Sequence, residues 1–159
     1  MTIRNFPQLI FSIIIAQLAG VIGSIFTAAS IQNWYVFLEK PFFAPPNWLF
    51  APAWITLYAL MGISAFLVWQ KKENLKLRNY ALKLYAIHLV LNALWSVIFF
   101  GLRNPGLAFI EIVVLWIFIL IITVKFFKIR KSAGFLFIPY LLWVSFASVL
   151  NLFIWLLNL

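Results

Sequence analysis

The sequence predicts an all-α integral membrane bundle of five transmembrane helices, and three observations carry that fold class. Of 159 residues, 66% are hydrophobic and 9% charged, with eight Trp, eighteen Phe and a mean hydropathy of +1.08. A soluble domain of this length carries about 25% charged and 45–50% apolar residues, so the polar side chains are too few to cover a water-facing surface. The apolar residues also gather into five runs near or above the ~20 residues that cross a bilayer. Finally, stretches such as Ile110 to Val124 lack the polar–apolar alternation of a transmembrane barrel strand, which leaves helices. Soluble enzyme domains, nucleotide-binding folds and disordered tails are excluded by the same composition.

In chain order, the spans are expected at residues 6–28, 48–69, 80–101, 106–127 and 134–157 of a single membrane domain, 1–159. The first follows Arg4 and ends in small residues, as a signal peptide does. Its length and the Gly20, Gly23, Ser24 packing pattern favour a retained helix. The first loop, 29–47, is the long one, rich in aromatics and Pro. Pro41, Pro45 and Pro46 fix backbone angles and remove donors, so it is stiff. Trp34, Tyr35 and Lys40 lie in it, and two expectations stand side by side: an interfacial aromatic belt, or a lid over the bundle mouth. No tandem repeat or inverted pair of broken helices is evident.

The net charge of +9 reads as membrane orientation rather than nucleic-acid binding, because the charges cluster between apolar runs. One side of the membrane would hold Arg4, Lys71, Lys72, Lys76, Arg78, Lys83, Lys125, Lys128, Arg130 and Lys131. The other would hold Lys40 and Arg103. Lys and Arg mark the cytoplasmic side, which puts the N-terminus inside and the C-terminus outside. There is no Cys, so disulfides and thiolate metal sites are excluded.

Polar residues within the spans are few and informative. His88, Asn92 and Trp95 share one face of the third span, and Tyr140, Trp143, Ala147 and Asn151 share one face of the fifth. Asn47, Ala51, Trp54, Tyr58 and Met61 form a third stripe on the second. Gln17, Ser24 and the small residues Ala16, Ala19, Gly20 and Gly23 occupy the first. Together the stripes describe an apolar cavity with a few polar anchors, suited to a flat, mostly apolar ligand. Taken singly, Asn92 and Asn151 are equally interhelical hydrogen-bonding residues. His88 reads as hydrogen-bonded structure or, in the alternative, an axial ligand to a metal-bearing ring. Glu111, one acid alone in the fourth span, is expected to accept a bond from a Trp or Tyr donor. No acid pair, metalloprotease motif, nucleophile triad or phosphate loop occurs, so hydrolytic chemistry is not expected.

The strongest pattern runs through Trp34-Tyr35, Leu38, Lys40-Pro41, Phe43, Pro45-Pro46-Asn47-Trp48, Phe50, Pro52, Trp54, Leu57-Tyr58 and Met61-Gly62. With Gly20, Gly23-Ser24, Phe26, Asn92, Trp95, Phe99-Phe100-Gly101, Pro139-Tyr140-Leu141, Trp143, Phe146-Ala147 and Leu150-Asn151, it resembles the translocator protein family. These proteins are also called tryptophan-rich sensory proteins or peripheral-type benzodiazepine receptors. The resemblance implies a five-helix bundle, a homodimer, and a cavity closed by the first loop. It implies a tetrapyrrole ligand, protoporphyrin IX or a haem-like ring, with no required cofactor and no metal site. Trp54 and Trp143 match the cavity tryptophans tied to porphyrin binding and its light-dependent breakdown, and would be the reactive residues if porphyrin is degraded. Ala147 matches the small residue abutting the ligand, and Asn92 and Trp95 a wall of the cavity. A cholesterol motif common in animal members is missing, with Leu152 and Leu156 at its positions, so high-affinity cholesterol binding is not expected. An animal-type cavity Trp early in the fourth span is Leu107 here. These departures imply a bacterial-type member in the cytoplasmic membrane.

The expected ligand set is therefore Gly23, Trp54, Tyr58, His88, Asn92, Trp95, Tyr140, Trp143, Ala147 and Asn151. Porphyrin carboxylates are expected near Lys40 and Arg103. The functions this supports are porphyrin sensing, sequestration or transport, with photo-oxidative breakdown or a ligand-free scaffold as alternatives.

Overall fold

The computed structural model describes residues 5–159, so Arg4 lies outside the described residues. Five helices follow one another: α1 (Phe6–Ile31), α2 (Phe50–Trp69), α3 (Leu75–Ser96), α4 (Pro105–Ile129) and α5 (Lys131–Leu157). All five are long and apolar enough to cross a membrane, and no strand occurs among the described residues.

Helix limits differ from the hydropathy limits because apolarity marks the hydrocarbon slab while hydrogen bonds mark the helix. α3 starts at Leu75, not Tyr80: the Asn74 side chain accepts the Leu77 N–H at 3.1 Å and caps a polar first turn. The same device starts α4, where Asn104 accepts the Leu107 N–H at 2.9 Å and Pro105 sits at the first helical position. α1 continues to Ile31, and Asn47–Leu49 forms a 3₁₀ turn ahead of α2. α3 ends in a π turn, Val97–Gly101, which apolar periodicity does not reveal. The expected loop between the last two spans shrinks to Arg130, whose extended backbone (φ −156°) separates α4 from α5.

Contacts between helices close a ring in the order α1, α2, α5, α4, α3. α1 crosses this ring obliquely. Near its start it lies on α2, where the Ser12 hydroxyl donates to the Gly62 carbonyl at 2.8 Å. A Cβ on Gly62 would come within 2.6 Å of Ile13 Cα, so only glycine permits that approach. Near its end α1 has moved to α3: Ser30 donates to the Phe100 carbonyl at 2.7 Å, and a Cβ on Gly23 would lie 2.9 Å from Ser96 Oγ. The half of the bundle nearest the α4–α5 connection is filled by Met61, Val68, Phe126, Ala133 and Phe137, all fully buried. There Ser64 donates to the Ala133 carbonyl at 2.8 Å and joins α2 to α5. The other half is not filled, because α1 and α2 have parted.

The first loop folds onto that open half. Tyr35 is buried against Phe99 and Phe100, with ring centroids 6.3 and 5.7 Å away, and Trp34 meets Phe99 edge-on at 5.6 Å. Phe43 reaches α5 at Phe146 and Phe153. Phe37, Phe42 and Trp48 point outward and are exposed, in the manner of an interfacial belt. The segment thus has one set of aromatic side chains packed on the bundle and another exposed.

Substituting Gly62→Val should lower the thermal unfolding midpoint of the detergent-solubilised protein, because overpacking of this kind costs about 1–3 kcal/mol. Ala86→Val, on an exposed face of α3, should leave the midpoint within error. An equal response at the two sites would show that the α1–α2 contact does not constrain the fold.

Candidate functional site

A cavity of about 470 Å³ lies between α1, α2, α3 and α5, beneath the first loop. Its volume falls within the roughly 300–1,000 Å³ of small-molecule sites. Each helix contributes the stripe seen in its sequence. α2 presents Phe50, Ala51, Trp54, Ile55 and Tyr58, and α3 presents Asn92, Trp95, Ser96 and then Phe99 and Phe100. α5 adds Trp143, Phe146, Ala147, Leu150 and Asn151, and α1 adds Gln17, Gly20, Gly23, Ser24 and Thr27. No Lys, Arg, His, Asp or Glu lines the space.

Eight of the ten expected ligand residues line this cavity: Gly23, Trp54, Tyr58, Asn92, Trp95, Trp143, Ala147 and Asn151. The other two, His88 and Tyr140, do not. Both are fully buried behind the rear wall, where the two rings meet at 5.6 Å. Sharing a helix face fixes the direction of a side chain but not its depth, and here Tyr58 and Asn92 stand between those rings and the cavity. Of the expected lid residues, Tyr35 lines the cavity, whereas Trp34, Lys40, Pro41, Pro45 and Pro46 do not. α4 contributes no lining residue, so Leu107 faces outward and the animal-type Trp position has no cavity role here.

Several lining residues were legible in the sequence without being assigned to the ligand. Gln17, Gly20 and Ser24 recur at i, i+3 and i+7, one face of a helix. Phe99, Phe100 and Phe146 were read only as motif residues. The π turn decides that Phe99 and Phe100 both face inward, and no periodicity signals it.

The polar groups divide into spent and free. The Tyr58 hydroxyl donates to Asn92 Oδ1, and Asn92 Nδ2 donates to the Tyr140 hydroxyl at 2.9 Å, joining α2, α3 and α5. Trp95 Nε1 donates to Asn151 Oδ1 at 3.0 Å, and Asn151 Nδ2 donates to the Pro105 carbonyl at 2.8 Å. Both asparagines therefore line the cavity and join helices at once. Gln17, Ser24 and Thr27 donate to backbone carbonyls. The indole N–H groups of Trp54 and Trp143 find no acceptor among the described residues. With the Tyr35 and Ser96 hydroxyls and the Asn47 amide, which also line the cavity and donate to no described residue, they are the donors left for a ligand. Their rings are held by neighbours: Trp54 stacks on Tyr58 at 5.4 Å, and Trp143 meets Phe50 at 6.3 Å and Phe146 at 6.0 Å.

The opening is lateral. Val21, Ser24 and Ala28 on α1 and Ala51 and Ile55 on α2 both line the cavity and lie exposed on the bundle's outer face. A slit between the two helices thus faces lipid, closed at its lower end where Gln17 Nε2 donates to the Ile55 carbonyl at 3.0 Å. The first loop covers part of the bundle mouth, while Asn47 at its end both lines the cavity and is exposed. Lys40 Nζ donates to the Val36 and Leu38 carbonyls and sits 4.9 Å over the Tyr35 ring. Burial pushes the Tyr35 hydroxyl up from its ordinary value near 10. The middle of the loop is tied to the end of α5: Asn158 Oδ1 accepts the Glu39 N–H at 3.0 Å while its Nδ2 donates to the Glu39 carbonyl at 2.9 Å.

Glu111 departs from expectation. It is buried on α4, and neither carboxyl oxygen has a protein partner, so the anticipated Trp or Tyr donor is absent among the described residues. Nor do three His, Cys, Asp or Glu side chains come together among them to hold a metal.

The family model described as TspO/MBR matches residues 12–156. The chain is 44% identical over 155 residues to the tryptophan-rich protein TspO of Archaeoglobus fulgidus, covering 97% of this chain and 99% of that one. It is 39% identical over 120 residues to the tryptophan-rich sensory protein of Cereibacter sphaeroides, covering 76% and 73%. Against the translocator protein of Homo sapiens the identity is 35% over 140 residues, covering 87% and 83%.

If the Asn158 clasp holds the lid, Asn158→Ala should free both Glu39 backbone groups. Loss of about 1.4 kcal/mol of local stability corresponds to roughly tenfold faster amide exchange. Hydrogen–deuterium exchange should therefore quicken at Glu39 and its neighbours while the α2 and α3 amides keep wild-type rates. Unchanged exchange at Glu39 would mean that the aromatic contacts hold the loop unaided.

Proposed function

Since this chain belongs to the TspO/MBR family, we propose that it is a membrane-embedded binding protein for tetrapyrroles of the protoporphyrin IX kind and related flat hydrophobic molecules. The observation that carries the proposal is the uncharged aromatic cavity, with two indole N–H donors unspent. Aromatic walls favour a planar π-system, and the indole donors suit ring acceptors at its edge. Ala147 lies within the lining, where a larger side chain would occupy ligand volume. The lipid-facing slit supports loading from the bilayer, where such molecules partition.

No cation lines the cavity, so any ligand carboxylates would lie toward the slit or the mouth. Lys40 is the basic residue packed on a lining side chain there, through Tyr35. Arg103 lies exposed in the α3–α4 turn at φ 53° and is not in the lining.

The two indoles also support a second activity, light- and oxygen-dependent breakdown of the bound ring, with Trp54 or Trp143 close enough to react. In topology, Lys71, Lys72, Lys76, Arg78, Lys83, Lys125, Lys128, Arg130 and Lys131 cluster at the α2–α3 and α4–α5 ends of the bundle. That favours a cytoplasmic position for this end and an N-terminus on the same side. A homodimer in a bacterial cytoplasmic membrane fits the family pattern.

The experiment is a titration of the protein in lipid nanodiscs with protoporphyrin IX in the dark, following Trp emission and corrected with empty nanodiscs. Saturable one-site quenching is expected, weakened at least tenfold by Ala147→Phe and only modestly by Trp143→Phe. Under illumination, Trp54→Phe or Trp143→Phe should remove a degradation product while keeping dark binding. Quenching that never saturates, or ignores Ala147→Phe, would leave the scaffold alternative in its place.

A further inference from the structure

Cations crowd the end of the bundle where α2 joins α3 and α4 joins α5, and the acid there, Glu73, is taken by Lys71 at 3.6 Å. Arg78 is spent on protein as well, donating to the Trp69 and Lys71 carbonyls. Lys76 and Lys83 on α3 and Lys125 and Lys128 on α4 differ from these. None of the four makes an ion pair or a hydrogen bond among the described residues.

Two of them sit at the edge of the apolar spans. Lys83 lies ~12 Å along α3 from Leu75, at 1.5 Å per residue. Lys125 is one turn short of Ile129, where α4 ends, and its Nζ is 4.7 Å from the centroid of the Tyr80 ring on α3. That contact crosses the seam between the two helices. It holds the ammonium on the ring face while leaving N–H donors free. Tyr80 is half exposed, and its hydroxyl has no hydrogen-bond partner among the described residues.

Below these cations both helices turn apolar side chains outward. On α3, Ile87, Val90 and Leu94 follow Lys83 at i+4, i+7 and i+11. On α4, Val124, Ile121 and Ile117 precede Lys128 at the same intervals. All six are exposed.

A lysine at the hydrocarbon edge with no protein acceptor draws one from the membrane. Donors at headgroup level above paired apolar stripes match the two parts of a phospholipid. Charge then selects among phospholipids, since four cations with no acid facing them attract an anionic headgroup.

We infer that the α3–α4 seam binds an anionic phospholipid. Its phosphate is held between Lys83, Lys125 and the Tyr80 hydroxyl, with Lys76 and Lys128 flanking and the acyl chains on the two stripes. α4 lines no part of the cavity, so this site is separate from the tetrapyrrole reading and does not depend on it.

The test is native mass spectrometry of the full-length protein in detergent, titrated with phosphatidylglycerol or with phosphatidylcholine of the same chains. The first phosphatidylglycerol should bind at least fivefold more tightly, because a basic residue near an anionic headgroup contributes about that factor. Lys83→Gln with Lys125→Gln should abolish the preference, and Lys83→Arg with Lys125→Arg should keep it. Lys72→Gln with Lys131→Gln removes the same charge from exposed positions off the seam, and should keep it too. Equal affinity of the wild type for both lipids would overturn the inference. Equal weakening by the two Gln pairs would overturn it in favour of diffuse attraction. Displacement of the lipid by glycerol phosphate at matched concentration would do so by marking a site for a free anion. The wild type alone gives a second readout: phosphatidylglycerol should raise its thermal unfolding midpoint in detergent more than phosphatidylcholine does, and an equal rise would count equally against the site.

Discussion

The amide of Asn92 is the point on which the bundle turns. In hydrocarbon no solvent relieves an unmatched polar group, so an amide placed there draws partners inward. Asn92 accepts from Tyr58 on α2 and donates to Tyr140 on α5, fixing three helices at one level. The rest of the interior divides about that level. On one side, methyl and phenyl groups fill the space; on the other, α1 departs for α3 and the aromatic stripes face one another across a gap. The cavity is what remains when a polar tie holds three helices and a fourth leans away.

Leaning away depends on glycine and serine. Gly62 admits the α1 backbone at one end, while Gly23 and Ser30 bring α1 against α3 at the other. Small residues with hydroxyl donors are how helices approach closely within lipid, where the hydrophobic effect supplies no drive for association. The Pro-rich segment then covers the gap without a long flexible connection, since its aromatics pack on the π turn and on α5.

Five helices, their order and most of the cavity wall were legible in the sequence because apolar length and the 3.6-residue period encode them directly. The limits of α3 were not, since the Lys76–Asn79 turn is polar and its helicity rests on the Asn74 cap. Trp54, Tyr58, Asn92, Trp95, Trp143, Ala147 and Asn151 were legible as stripes. His88 and Tyr140 shared those stripes yet lie one layer behind, because a stripe gives direction and the neighbouring helix determines what stands in front. Glu111 was visible as an isolated acid, but the absence of a protein donor depends on three helices at once. The lateral slit follows from the tilt of α1, which no single-helix pattern contains.

The clasp between Glu39 and Asn158 joins positions 119 residues apart. During synthesis, the first loop emerges long before the residue that fastens it. Until α5 has entered the bilayer and reached its place, the segment over the cavity has only its aromatic contacts with α3 and none with its eventual anchor. Closure is thus a late event in biogenesis. Until then the cavity lacks both its α5 wall and the fastening of its cover, so wall and cover are completed by the same last helix.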